Sequence, residues 1–167
     1  MNNGKTLKFK NVLFCDLDGT LITTLTGEEF PQGCYDMKIR LDTLEAISNY
    51  HPDFVIIVSN QGGIESGYVN EEFFKNKISW VASNITEFCK CGVAYEYCKS
   101  MNKDDYCRKP NIGMLIGYLT IITSINNDTN FLMIGDRRED LECAKNANIP
   151  YTDIQDFINK YGTLTHK

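Results

Sequence analysis

The chain has 167 residues, 43% hydrophobic and 23% charged, the balance of a soluble globular protein with one sizeable core. No apolar run approaches the roughly 20 residues that cross a bilayer, and the polar start, Met1 to Lys10, lacks the apolar stretch of a secretion signal. The net charge of −5 argues against strong non-specific binding to nucleic acid, which needs basic surface to release counterions. One domain over residues 1–167 is expected, in the cytoplasm, with the seven cysteines mostly reduced.

In chain order, residues 11–15 form a short apolar run and read as a buried strand that ends at Asp16-Leu17-Asp18-Gly19-Thr20. Residues 41–50 show helical spacing, with Leu41, Leu44 and Ile47 apolar. A second strand, 54–59, leads into Ser59-Asn60-Gln61-Gly62-Gly63-Ile64. A longer helix over 70–88 carries Phe73, Phe74, Ile78, Val81, Ile85 and Phe88 near helical spacing. A third strand, 93–98, is followed by a loop to Cys107-Arg108-Lys109-Pro110 and a mostly apolar helix over 112–125. The fourth strand, 131–134, ends in Gly135-Asp136-Arg137-Arg138-Glu139-Asp140, and the acids begin a helix over 140–148. Continuous apolar strands alternating with helices predict an α/β fold, a doubly wound parallel sheet with helices on both faces. Ligands of such sheets lie at the carboxyl ends of the strands, where the candidate residues cluster.

Each strand end has a possible chemical role. Asp16 and Asp18 straddle a turn, and Gly19 lets the chain leave the strand sharply. A carboxylate beside magnesium can attack phosphorus, and a second can protonate the leaving oxygen and then deprotonate water. The Ser59 hydroxyl, with Asn60 and Gln61 at a glycine-bearing turn, suits a phosphate cradle. Lys109 at a helix start can neutralise phosphate charge, with Arg108 beside it and Pro110 in the first turn. Asp136 completes a metal site, and Asp140 either holds the lysine or caps the next helix. Taken singly, an acidic turn, a strand-to-helix loop, a solvated basic pair and an acidic helix start would also explain these residues.

Together, Asp16-x-Asp18-Gly19-Thr20, Ser59, Lys109 and Gly135-Asp136-x-x-x-Asp140 resemble the four motifs of the haloacid dehalogenase superfamily, over residues 12–149. The resemblance implies a Rossmann-like core with Asp16 as nucleophile and Asp18 as general acid and base. It implies Mg2+ held by Asp16, the backbone carbonyl of Asp18 and Asp136. Ser59 and Lys109 would grip the phosphoryl group, and Asp140 would orient Lys109 or the metal shell. The second acid, Asp18, points to a phosphatase or phosphotransferase rather than a dehalogenase. Residues 21–35 and 62–69 are too short for a folded cap, so an open site is expected, with residues 22–31 as a small flap.

Two capless families compete for the substrate. Asp16 to Thr24, Gly27-x-x-Phe30-Pro31, Ser59-Asn60-Gln61-x-Gly63-Ile64 and Phe74-Lys75-x-Lys77 resemble polynucleotide 3′-phosphatase domains, whose substrates are DNA or RNA 3′ ends. Lys75, Lys77, Lys99, Lys103, Arg108 and Lys109 could then form a basic patch. The segment 98–110 and the full Gly135-to-Asp140 motif resemble histidinol-phosphate and heptose-bisphosphate phosphatases, which hold zinc in that loop. Cys98 and Cys107 remain, but Ser100 and Asp105 stand where those families have His and Cys. The leading expectation is a polynucleotide 3′-phosphatase. The alternatives are a small-molecule phosphatase, acting on histidinol phosphate or a sugar phosphate, and a non-catalytic binding module.

Overall fold

The structure, a computed structural model, describes residues 9–28 and 36–163. Five parallel strands form its sheet: β1 (Asn11–Cys15), β4 (Phe54–Asn60), β5 (Gly92–Cys98), β6 (Asn130–Gly135) and β7 (Tyr151–Asp153), in spatial order β5-β4-β1-β6-β7. β1 lies at the centre, where Cys15 pairs with Ile57 on one side and Ile134 on the other. That register places Asp16, Ser59 and Gly135 at one edge of the sheet. A two-stranded ribbon, β2 (Ile22–Thr23) with β3 (Lys38–Ile39), stands beside that edge.

Alternation along the strands fills a core on each face. Leu13, Cys15, Val55 and Ile57 point to one face. There they meet Leu44 and Ile47 of α1 (Leu41–Tyr50), Phe74, Ile78, Val81 and Ile85 of α3 (Glu71–Cys89), and Phe157 of α6 (Ile154–Tyr161). Val12, Phe14, Ile56 and Val58 point to the other face. They pack on Met114, Leu115 and Ile122 of α4 (Gly113–Ile125) and on Cys143 and Ala144 of α5 (Arg138–Asn146). The expected doubly wound sheet is therefore present, with no large cap over it among the described residues.

The four expected strands and four long helices are present with bounds moved by a residue or two. The ribbon, the short helix α2 (Gly62–Glu65), β7 and α6 were not anticipated. β7 has only three residues, too few for alternation to register, and gains its place by pairing with β6. Residues 29–31 of the expected flap, with Phe30 and Pro31, lie outside the described residues. No described helix is long and apolar enough to cross a membrane.

Candidate active site

The turn after β1 is built around its glycine. Gly19 has a φ of +91°, and a Cβ there would fall 2.2 Å from Asp136 Oδ2, so no other residue suits the position. Its amide donates to the Ile22 carbonyl, and its carbonyl accepts from Arg40 Nη1 at 2.8 Å. Asp16, buried, donates its amide to the Ile134 carbonyl, which ties the β1 end to the β6 end. Thr20 Oγ1 reaches Asp136 Oδ1 at 3.4 Å across the same gap.

Lys109 occupies the middle of the site. Its Nζ donates to Asp16 Oδ1 at 2.5 Å and to the Val58 carbonyl at 2.9 Å, and it pairs with Asp140 Oδ1 at 2.6 Å. Burial opposes the charge of Lys109, but the two carboxylates outweigh it and hold the ammonium protonated well above its ordinary range. Burial pushes the Asp16 carboxyl up, against the pull of Lys109. Asp140 serves both roles the sequence offered for it: it binds Lys109, and its Oδ2 accepts from the Arg137 amide at 3.2 Å to cap α5.

Two expected phosphate ligands are placed differently. The Asn60 side chain clamps the Lys109 peptide, accepting from its amide at 2.9 Å and donating to its carbonyl at 3.0 Å. Both ends of its amide are therefore spent on the lysine's backbone. Gln61 is buried, and its Nε2 donates to Asp18 Oδ2 at 2.7 Å and to Ser59 Oγ at 2.8 Å. Ser59 itself is buried at the β4 end. Arg108 Nη1 donates to the Ser100 carbonyl at 2.7 Å, so its guanidinium braces the β5 loop. Pro110 precedes α4 by three residues, so Lys109 sits in the turn that leads to the helix and not at its N-terminus. The other oxygen of Asp18 accepts from Lys77 Nζ at 2.9 Å. The sequence places Lys77 in a basic patch and in the Phe74-Lys75-x-Lys77 resemblance, without a partner. Its signal was a lysine on the apolar face of α3, between Phe74 and Ile78.

The carboxylates of Asp16, Asp136 and Asp140 each bring an oxygen within 4.8 Å of the others. Lys109 cannot neutralise all three, so with the carboxyls ionised the cluster would carry an excess of two negative charges. A divalent cation that prefers hard oxygen ligands fits that excess. Both Asp140 oxygens already have partners, so Asp16 and Asp136 are the better side-chain ligands and Asp140 orients the lysine. Both Asp18 side-chain oxygens are also engaged, which leaves its carbonyl for the metal.

A cleft of about 160 Å³ opens beside Asp18 and Asp136, lined further by Gly19, Thr23, Thr24, Glu28 and Arg137. The expected basic patch is largely consumed: Lys75 and Lys99 both pair with Glu71, at 3.4 and 3.2 Å. Cys98 and Cys107 are joined by a disulfide, and this pair departs from the expectation of reduced thiols. Asp105 stands beside them.

Gly135 offers a test of this packing. A Cβ there would meet the Asp140 carboxylate at 2.4 Å. Gly135→Ala is expected to displace Asp140 from Lys109, and to lower turnover about tenfold or more while the sheet still folds. Steady-state kinetics and a melting curve on one preparation check it.

Comparison with known proteins bears on this site. The profile described as polynucleotide kinase 3 phosphatase matches residues 11–157. The D-glycero-β-D-manno-heptose-1,7-bisphosphate 7-phosphatase of Pasteurella multocida is 30% identical over 161 residues, covering 86% of this chain and 80% of its own. A probable D-glycero-D-manno-heptose-1,7-bisphosphate 7-phosphatase of Thermoplasma volcanium is 30% identical over 144 residues, covering 83% and 94%. A solved structure, the D,D-heptose 1,7-bisphosphate phosphatase of B. bronchiseptica complexed with magnesium and phosphate, superposes with a TM-score of 0.64. It is 20% identical and covers 86% of this chain and 78% of its own.

Proposed function

The chain belongs to the polynucleotide kinase 3 phosphatase family, within the haloacid dehalogenase phosphatases, and from that premise we propose a magnesium-dependent phosphomonoesterase acting on a small phosphorylated sugar. The observation that carries the substrate class is the cleft beside Asp18, which at about 160 Å³ is small and is lined by Thr23, Thr24, Glu28 and Arg137 among polar residues and by Ile22 and Met37. Hydroxyls and a carboxylate suit a polyol. At the mouth Glu28 and Arg137 stand together, and Lys75 and Lys99 are engaged by Glu71, so little uncompensated positive charge is left to draw the neighbouring phosphates of a nucleic acid strand. The curated relatives named above, phosphatases of a heptose bisphosphate, agree with this class.

In the mechanism, Asp16 attacks phosphorus and carries the phosphoryl group as an aspartyl-phosphate. Lys109 and the Ser59 hydroxyl hold the phosphoryl oxygens as charge develops on them. Asp18 gives a proton to the leaving sugar oxygen and then takes one from the water that releases phosphate. Asp16, Asp136 and the Asp18 carbonyl would hold magnesium, whose charge would offset the repulsion between the nucleophile and its anionic substrate.

A second reading, a polynucleotide 3′ end as substrate, is favoured by the description of the family profile. The deciding experiment measures kcat/KM for a heptose bisphosphate, histidinol phosphate and a 3′-phosphorylated oligonucleotide, each with magnesium and with EDTA. The sugar phosphate is expected to be hydrolysed most efficiently, with EDTA abolishing release. Preferred turnover of the oligonucleotide, falling with salt at a slope of about −0.7 per phosphate neutralised, would replace the sugar reading with the polynucleotide one.

A further inference from the structure

Asp18 is held from two sides. Lys77 Nζ, carried by α3, donates to Oδ1 at 2.9 Å, and Gln61 Nε2, from the turn after β4, donates to Oδ2 at 2.7 Å. Lys77 is only 7% exposed, on a helix face otherwise made of Phe74, Ile78, Val81 and Ile85. A lysine among apolar side chains costs desolvation, and an apolar residue would fill the space without that cost. Here the ammonium meets the carboxylate at the mouth of the cleft and lies over the Phe74 ring, with Nζ 5.5 Å from the ring centre. A carboxyl on a turn has free rotation about two bonds. Donors on two separate elements remove that freedom and aim the carboxyl at the place of the leaving group.

We propose that Lys77 is the positioning residue for Asp18, fixing the carboxyl that serves the leaving oxygen. The assignment rests on the phosphatase reading above. It differs from a phosphate-binding role, which would weaken every substrate alike, and from a purely structural role, which would lower stability without selecting among substrates.

The leaving group separates these roles. An alkyl phosphate needs a proton as its oxygen departs, whereas 2,4-dinitrophenolate leaves without one. Lys77→Met keeps the stem and removes the donor. Its kcat/KM under magnesium is expected to fall about 30-fold for a sugar phosphate and less than about threefold for 2,4-dinitrophenyl phosphate, a part of the roughly 10²- to 10⁴-fold that a well-placed general acid supplies. Lys77→Arg should restore most of the loss. Lys77→Gln, still polar but too short to reach, serves as a second variant should the methionine fail to fold. An equal fall for both esters, or no fall for the sugar phosphate in a folded variant, would overturn the assignment and leave the phosphatase reading intact. A wild-type protein that hydrolyses neither ester would overturn the phosphatase reading and this assignment with it.

Discussion

Asp16→Asn is expected to lower phosphate release by about 10⁴-fold or more with every substrate, the scale of loss seen when a covalent nucleophile is removed. The amide has nearly the shape of the carboxyl and can still accept from Lys109 through its oxygen. It cannot form an acyl phosphate. The fold should persist, because Lys109 keeps its pair with Asp140 and its bond to the Val58 carbonyl. Burial already opposes the Asp16 charge, so removing that charge relieves a desolvation cost and the melting temperature should hold or rise. The variant should also lose part of the stabilisation that magnesium gives by mass action. Turnover, melting with and without magnesium, and trapping of a hydroxylamine-sensitive phosphoprotein test this together. Near-normal turnover, or phosphoprotein formed without Asp16, would sink the covalent mechanism.

Lys109→Met should damage both stability and activity. Lys109 is 4% exposed and is the cation paired with both Asp16 and Asp140. Its removal leaves two buried carboxylates facing each other, at a cost of about 3–5 kcal/mol. For a chain of this size that lowers the melting temperature by roughly 10 °C. Loss of a donor to the developing phosphoryl charge should reduce kcat by about 10²- to 10³-fold. The pH dependence follows from the direction of the Asp16 shift. Burial raises that carboxyl and Lys109 lowers it, so without the lysine the carboxyl moves higher still. A higher folded-state value for an acid means stability falls further as pH rises through it, and the acid limb of the residual rate moves to higher pH. Adding Asp140→Asn to Lys109→Met should restore stability but not turnover. A single variant with unchanged melting and unchanged kcat would remove Lys109 from the site.

The side chains of Asn60 and Gln61 show how much of a strand end is decided by partners far along the chain. Both follow Ser59 at a strand end, where side chains and amides commonly meet an anion. Nothing in adjacent sequence tells that Asn60 turns to the Lys109 peptide, 49 positions away, or that Gln61 turns to Asp18. Lys77 was hidden for a related reason. A lysine on an apolar helix face is visible as an exception, but its partner 59 positions earlier is not. The disulfide between Cys98 and Cys107 likewise depends on how the loop between them folds back.

The strands, the helices that cover them and the order of the strand-end acids were determined by the sequence itself. Apolar runs of strand length, helical spacing and turn glycines are local signals, and a parallel sheet places successive strand ends along one edge. The tertiary structure alone decided which side chains meet there. It joined Lys109 to two carboxylates, closed Lys77 and Gln61 around Asp18, and shaped the cleft from a ribbon with strands too short to read. Those contacts are set by the approach of elements far apart in the chain, where packing and charge pairing choose the partner and local propensity carries no information.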